Sequence, residues 1–536
     1  MTAAPRNPGA SSREQIYARR WLILFVLCFS LLVIVLDNTI LNVAIPTIVR
    51  DLDASNSQLQ WMVDSYVLVF AGLLLTAGSL GDRFGRRGAL QVGFILFGLG
   101  SVASALADTA DQLIATRAAM GIGAAFIMPA TLSIITNVFP ADERGRAIGF
   151  WAGTAGVGVA LGPLAGGFLL EHYYWGSIFL VNVPIVIFGL VCGWFVIPTS
   201  KDPAAPKLDL VGAGLSIAGL TALLYAIIEA PESGWTSAPI LTAFAIAILL
   251  LSTFVAWERR SEHPMLSMRF FKNPRFTAAS AAIAMVFFAL FGSIFLLTQY
   301  FQFVLDYSPL QAGVRLLPFA VTMMVAAPTS AHLAKRFGTK LVVASGLFLV
   351  GLSMLLFLGL EPGSSYGDIV WRLILMSTGM GLTMAPSTES IMGSLPLSKA
   401  GVGSAVNDTV RQVGGALGVA VVGSALSSIY AQRIDDALRG SLVPPEGQEA
   451  ARRSLGGAIG VAQQVREMGV PGATELAASL TNAAKAAFVD AMHIGVLVAA
   501  GVAILGSVIA FVWLPARARA EDVADQQTAF ARAELD

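Results

Sequence analysis

Sixteen consecutive residues from Trp21 to Leu36 carry no charge, and runs of 18 or more mostly apolar residues recur along the whole chain. Wound as a helix, each run is long enough to cross roughly 30 Å of hydrocarbon. Within a bilayer only helices and closed barrels satisfy every backbone group, and the period-two alternation of a barrel is absent. Charged residues make up 13% of the 536 positions, about half the ~25% usual in a soluble domain. The formal net charge of zero singles out no partner. The chain therefore reads as an all-α, multi-pass membrane protein.

Fourteen spans are expected, near 21–48, 58–80, 89–107, 111–138, 142–170, 176–196, 210–230, 238–258, 274–304, 309–335, 340–360, 368–395, 401–430 and 486–514. An even number puts both termini on one side. Lys and Arg mark cytoplasmic loops, and they cluster at Arg19 and Arg20, Arg83 to Arg87, Arg144 and Arg146, Arg259 to Arg275, and Lys335 to Lys340. Both ends are therefore expected in the cytoplasm. The segment near 431–485 holds five arginines, but segments of that length translocate largely regardless of charge. It reads as a long extracytoplasmic loop. No cleavable leader is evident, so the first span is expected to act as an uncleaved anchor. Cys28 and Cys192 lie inside apolar runs, which argues against a disulfide framework.

The chain also repeats itself. Arg83-Phe84-Gly85 returns as Arg336-Phe337-Gly338, and Ala160-Leu161-Gly162 as Ala416-Leu417-Gly418. MGIGAAFIMPATLSI, with Gly121, Gly123 and Pro129, is echoed by TGMGLTMAPSTESI, with Gly379, Gly381 and Pro386. An offset near 255 maps spans 2, 4 and 5 onto spans 10, 12 and 13. The organisation expected is a tail at 1–20, a six-helix half at 21–198, inserted spans 7 and 8 at 199–265, a second half at 266–515 and a tail at 516–536. Parallel six-helix repeats suit rocker-type transporters, with the substrate path between the halves.

Span 2 ends in GSLGDRFGRRGAL. Gly78 and Gly81 allow close helix approach, Gly85 and Gly88 permit a tight turn, and Asp82 with Arg83, Arg86 and Arg87 can form a charged clasp. The plainer alternative is a positive-inside loop. Span 5 carries GFWAGTAGVGVALGPLAGGFL, with Gly158, Gly162, Pro163, Gly166 and Gly167. These small surfaces favour close packing, and the proline breaks the hydrogen-bond ladder.

The first stretch resembles the helix 2–3 signature of the major facilitator superfamily, and the second is similar to the motif of its exporting antiporters. LDNTILNVAIP, WMVDSYVL, FPADERGRAIGFW, FLVNVP and PMLSMRFFKNPRF look like the superfamily's 14-helix drug:proton antiporters. The resemblance covers nearly the whole chain. It implies two six-helix repeats plus an inserted central pair, a gating clasp in which Asp82 faces the start of span 13, and export of amphipathic, often cationic compounds. It implies no enzyme activity, no cofactor beyond a proton gradient, and a place in a bacterial cytoplasmic membrane, with a monomer as the working unit. Two departures stand out. The second clasp copy has Lys335 where the first has Asp82, so one working clasp is expected, and Trp175-Gly176-Ser177 replaces the usual aromatic-arginine pair.

Ionisable side chains inside membrane helices are rare and mark ion pathways or internal pairs. Asp37 sits about 24 Å into span 1 at 1.5 Å per residue. Arg117 lies in LIATRAAMGIG of span 4, which resembles the superfamily's proton-transfer motif. The two are expected to meet, with Asp37 as the coupling acid, against the alternative of a permanent structural pair. Asp64, Glu389, and the pair Asp408 and Arg411 are further candidates, the last spaced i,i+3 as an internal pair. Trp61, Tyr66, Trp151 and Tyr300 are candidate aromatic walls for a cation, or packing residues. The histidines show no metal-ligand spacing, and there is no phosphate loop and no basic aromatic stripe for nucleic acid. Cargo of another kind, an endogenous lipid, siderophore or metabolite, fits the same motifs, as does a non-transporting sensor on this fold.

Overall fold

A computed structural model describes residues 8–52, 56–202, 209–262, 264–438, 443, 445–467 and 472–517. Among the described residues, fourteen helices are long and apolar enough to cross a membrane. They are α1 (Ile16–Leu41), α2 (Trp61–Phe84), α3 (Arg86–Ala105), α4 (Ala110–Val138), α5 (Ala141–His172), α6 (Ser177–Val196) and α7 (Leu210–Pro231). The series continues with α8 (Ala238–Arg260), α9 (Pro274–Val304), α10 (Leu310–Phe337), α11 (Thr339–Phe357), α12 (Tyr366–Met392), α13 (Leu397–Asp435) and α14 (Ala473–Trp513).

The duplication seen in the sequence reappears in packing. In the first half α4 packs on α2 and α3, and α1 packs on α5 and α6. Eight helices later the same partners recur: α12 on α10 and α11, and α9 on α13 and α14. The repeated glycines explain why. A Cβ on Gly158 or Gly162 of α5 would run into Val35 or Thr39 of α1. At Gly414 and Gly418 of α13, 256 residues on in both cases (414 − 158 and 418 − 162), it would run into the α9 backbone at Ala284 and Phe288. Only a hydrogen fits at these crossings, so backbones approach closely in the manner of small-residue membrane interfaces.

The halves meet along two seams, α2 against α13 and α5 against α10. The inserted helices α7 and α8 pack on each other, and α7 also leans on α2 and α13. The pair therefore covers one seam only. Helix α5 is the strut of the other: Gly149 and Gly153 face Pro328 and Met324 of α10, while Gly158 and Gly162 face α1.

The segment expected as a loop near 431–485 is largely helical. One helix runs from Ala400 to Leu438, two more span Pro445–Arg453 and Leu455–Glu467, and the last begins at Ala473, not near 486. Its 41 residues make a rod of about 60 Å, twice the hydrocarbon thickness. The alanine-rich start ATELAASLTNAAKAAF is a strong helix former but too polar to read as membrane span. The N-terminal segment behaves alike, since the first helix starts at Pro8.

Candidate functional site

Asp37 of α1 and Arg117 of α4 meet. Both are 0% exposed, and the Arg117 Nη1 donates to Asp37 Oδ2. Further groups complete the cage. Asn182 of α6 donates from Nδ2 to Asp37 Oδ1 at 2.9 Å and to Ser101 Oγ at 3.1 Å. Arg117 donates from Nε to the Met62 carbonyl at 3.2 Å, and its guanidinium lies 4.4 Å from the Tyr66 ring centre. Tyr66 is thus an aromatic wall for Arg117 itself. Asn182 sits in the FLVNVP stretch, and a lone amide in an apolar run was the signal available for it.

A second charged centre lies on the other half. Asp408 and Arg411 of α13 are 3.6 Å apart, and Asn407 donates to Asp408 Oδ1 at 3.3 Å. The Arg411 guanidinium sits 4.8 Å from the ring centre of Trp151 on α5 and 5.0 Å from that of Phe287 on α9. Trp151 therefore joins the halves. The Trp151 Nε1, Asp408 Oδ2 and Arg411 Nε and Nη2 atoms are buried there without a hydrogen-bond partner among the described residues.

The clasp is closed. Asp82 Oδ1 accepts from Arg86 Nε and Nη2 at 2.9 and 2.7 Å and from the Gly401 amide at 2.9 Å, and its Oδ2 accepts from the Val402 amide at 3.1 Å. Those amides open α13, where the positive end of the helix dipole favours an anion. Arg86 also donates to the Leu397 carbonyl at 2.8 Å. A Cβ on Gly78 would stand 2.5 Å from the Gly401 carbonyl, so glycine is what lets α2 reach α13. Gly85 takes φ of +117° at the turn into α3, a conformation glycine adopts freely. Arg83 lies over the Phe84 ring, Arg87 turns to the Trp194 ring of α6, and Arg86 bridges to α13.

The second copy does more than its lysine suggested. Lys335 of α10 donates to the Asp142 carbonyl at the start of α5, bridging the other seam at the same end. A cation cannot accept helix-end amides, so it uses a carbonyl instead. Glu389 of α12 pairs with Arg275 of α9 at 3.0 Å and faces Gly145 of α5, near this bridge and apart from the Asp37 cage.

The remaining candidates fall elsewhere. Trp61 stacks on Tyr225 of α7, with ring centres 6.3 Å apart. The Tyr300 hydroxyl donates to the Glu361 carbonyl at 2.6 Å, so this ring is a fixed packing element. Asp64 is half-buried on α2, two residues beyond Met62. Pro163 packs against Gly313 of α10, and Gly167 faces Leu310 of the same helix, while Gly166 is buried. Export motif and α10 are in contact, with the α1 face of the same motif flanking Asp37 at Val35 and Thr39.

The family model described as Major Facilitator Superfamily matches residues 27–419. The chain belongs to the Major Facilitator Superfamily. It is similar to the multidrug efflux pump LfrA of Mycolicibacterium smegmatis, 37% identical across 90% of this chain and 93% of the relative. It is also similar to the tetracenomycin C resistance and export protein of Streptomyces glaucescens, 31% identical across 94% of each. The methyl viologen resistance protein SmvA of Salmonella typhimurium is 36% identical across 83% of this chain and 90% of its own length. Among solved structures, the human organic anion transporter MFSD10 superposes with a TM-score of 0.58 at 14% identity, over 94% of this chain and 100% of the other. That likeness is one of fold. The chain is a multi-pass membrane protein of the bacterial cytoplasmic membrane, in the drug:proton antiporter branch of the superfamily.

Proposed function

We propose that this protein exports amphipathic, often cationic compounds in exchange for protons, by alternating access, as a monomer with both termini in the cytoplasm. One observation carries the reading: a carboxylate and a guanidinium, both sealed from water, meet in the membrane part of the first half. Burial disfavours a charged carboxylate and a neighbouring cation favours it. A site held between those pressures changes charge when the balance of water or cation around it changes. Protonation of Asp37 would loosen its hold on Arg117, which keeps the Met62 carbonyl and the Tyr66 ring as alternative partners. Return of the charge would accompany arrival of a cationic compound, so proton and cargo compete for one acid.

The clasp supports the alternating part. Asp82, Arg86 and Lys335 all bridge the halves at one end, which would part when that end opens. Gating is the role proposed for Gly78, Asp82, Gly85 and Arg86, and holding α5 between α1 and α10 is the role proposed for Gly158, Gly162 and Pro163. The names of the relatives, which are efflux and resistance proteins, support small-molecule cargo. No cofactor enters the scheme. The test is proton release in weak buffer when tetraphenylphosphonium is added to purified protein, together with its efflux from vesicles with and without an uncoupler. Uncoupler-insensitive efflux would overturn the proposal.

A further inference from the structure

The inserted helices leave a cleft beside α2. It is an open cleft of about 850 Å³, and none of its thirteen lining residues is charged. That volume falls within the ~300–1,000 Å³ range of small-molecule sites. Trp61 and Val69 of α2 form one wall, Thr242 and Ile246 of α8 the other, and Ile217 and Tyr225 of α7 lie between them. Ile246 is 46% exposed, so the cleft opens sideways, toward whatever surrounds the protein at that depth.

We propose that this cleft binds one acyl chain of a phospholipid from the bilayer leaflet opposite the Asp82 clasp. Depth is the first argument. From Trp61 to Val69 the wall runs eight residues, about 12 Å, close to the ~15 Å of one leaflet's hydrocarbon. The cleft narrows at the membrane-centre end, where a Cβ on Gly72 would come within 2.6 Å of Thr221 Oγ1. It is therefore one tail deep and does not cross the membrane.

Chemistry is the second argument. The Ser65 hydroxyl donates to the Ile114 carbonyl at 3.2 Å and that of Thr242 to the Ala238 carbonyl at 2.7 Å. Beyond these, the lining offers polar atoms only at Thr221 and on the Trp61 and Tyr225 rings, a sparse set for waters that need two to four polar partners each. A cationic compound would find no counter-charge. Left empty, the walls would forfeit dispersion contacts. A hydrocarbon chain meets all three conditions. At the outer rim the stacked Trp61 and Tyr225 rings stand near the ends of their spans, the level at which amphipathic aromatics meet headgroups.

The experiment uses the full-length protein in palmitoyl-oleoyl phosphatidylglycerol vesicles doped with a phospholipid bearing a photoactivatable diazirine on its acyl chain. After illumination, peptide mapping should place labels on Ala218, Ala222 and Ile246 several-fold above Leu505 and Val508, exposed apolar residues of α14. Ala218→Phe with Ala222→Phe should abolish the cleft labels and leave those on α14 unchanged. If that variant fails to fold, Ile246→Trp, which blocks the exposed rim, should give the same loss. Cleft labelling no higher than that of α14, or unaffected by filling, overturns the proposal. So does its displacement by tetraphenylphosphonium at equal mole fraction, which would reassign the cleft to exported compounds. None of these outcomes depends on the transport reading, because labelling is read without a gradient.

Discussion

Asp37→Asn separates charge from shape at the buried pair. The side chain keeps its volume, so no cavity opens. What changes is the acceptor count: Asp37 accepts from Asn182 on one oxygen and from Arg117 on the other, and asparagine has one oxygen. Its amide must then face a donor, unless Asn182 flips and gives up its bond to Ser101. Arg117 loses its counter-charge in a site with 0% exposure. Removing one partner of a buried pair costs about 3–5 kcal/mol. The Met62 carbonyl and Tyr66 ring contact Arg117 with or without the Asp37 charge, so they cancel in the comparison, and a loss of about 3–5 kcal/mol is expected. Thermal unfolding in detergent should show it, and adding Arg117→Gln, which removes the stranded charge, should recover most of it. Proton release on adding tetraphenylphosphonium should vanish in the single and the double variant alike. Neutral cargo should be less affected than cationic cargo, because only cations need the negative charge. Undiminished proton release from Asp37→Asn would remove this acid from coupling and move the test to Asp408 and Glu389. A double variant no more stable than the single would refute the energetic argument, since paired neighbours should couple by ~0.5–3 kcal/mol.

Asp82→Ala removes the acceptor of four hydrogen bonds and should lower turnover while binding of tetraphenylphosphonium, read by fluorescence competition, stays within about twofold, under ~0.5 kcal/mol. Gly78→Ala should be worse for transport, because its Cβ pushes the Gly401 carbonyl away and holds the α2 seam ajar; wild-type efflux would contradict this. Pro163→Ala should insert normally but export slowly, because α5 loses its fixed contact with Gly313 of α10; unchanged rates would reduce the motif to packing.

Much of this was legible in the sequence. Apolar run length gave the fourteen spans, and echoes such as Ala160-Leu161-Gly162 with Ala416-Leu417-Gly418 gave the duplication, because a crossing that admits only hydrogen, as at Gly162 and Gly418, must recur wherever the crossing does. Asp37 and Arg117 were legible as a pair since an isolated charge in hydrocarbon demands a partner. Asn182 was not, because an amide makes no such demand and its partner lies 145 residues away. Lys335 read as a broken clasp because sequence compares residue types, whereas the cation finds a different acceptor, the Asp142 carbonyl. The aromatic residues scattered for a similar reason: Trp61, Tyr66, Trp151 and Tyr300 look alike in an apolar run, and only packing assigns one to a rim, one to Arg117, one to the seam and one to the core.

Trp151 shows what that assignment is worth. It sits on the α5 strut, and Arg411 from the opposite half lies over it, in a region where Asp408 Oδ2 and two Arg411 nitrogens are buried without partners among the described residues. Unmet buried donors cost about 1–3 kcal/mol each, so the closed arrangement is held against a local penalty that opening to water would relieve. Trp151→Leu keeps an apolar filler but removes the cation–π contact, about 0.5–2 kcal/mol. The closed form should lose that amount relative to the open one. Cysteine accessibility at the clasp end, probed at Ser398→Cys with a membrane-impermeant maleimide, should therefore rise in the Trp151→Leu background, by about two- to thirtyfold if opening limits labelling. Labelling that stays constant would show that Arg411 and Trp151 merely pack together, and that the hold between the halves comes from the clasp alone.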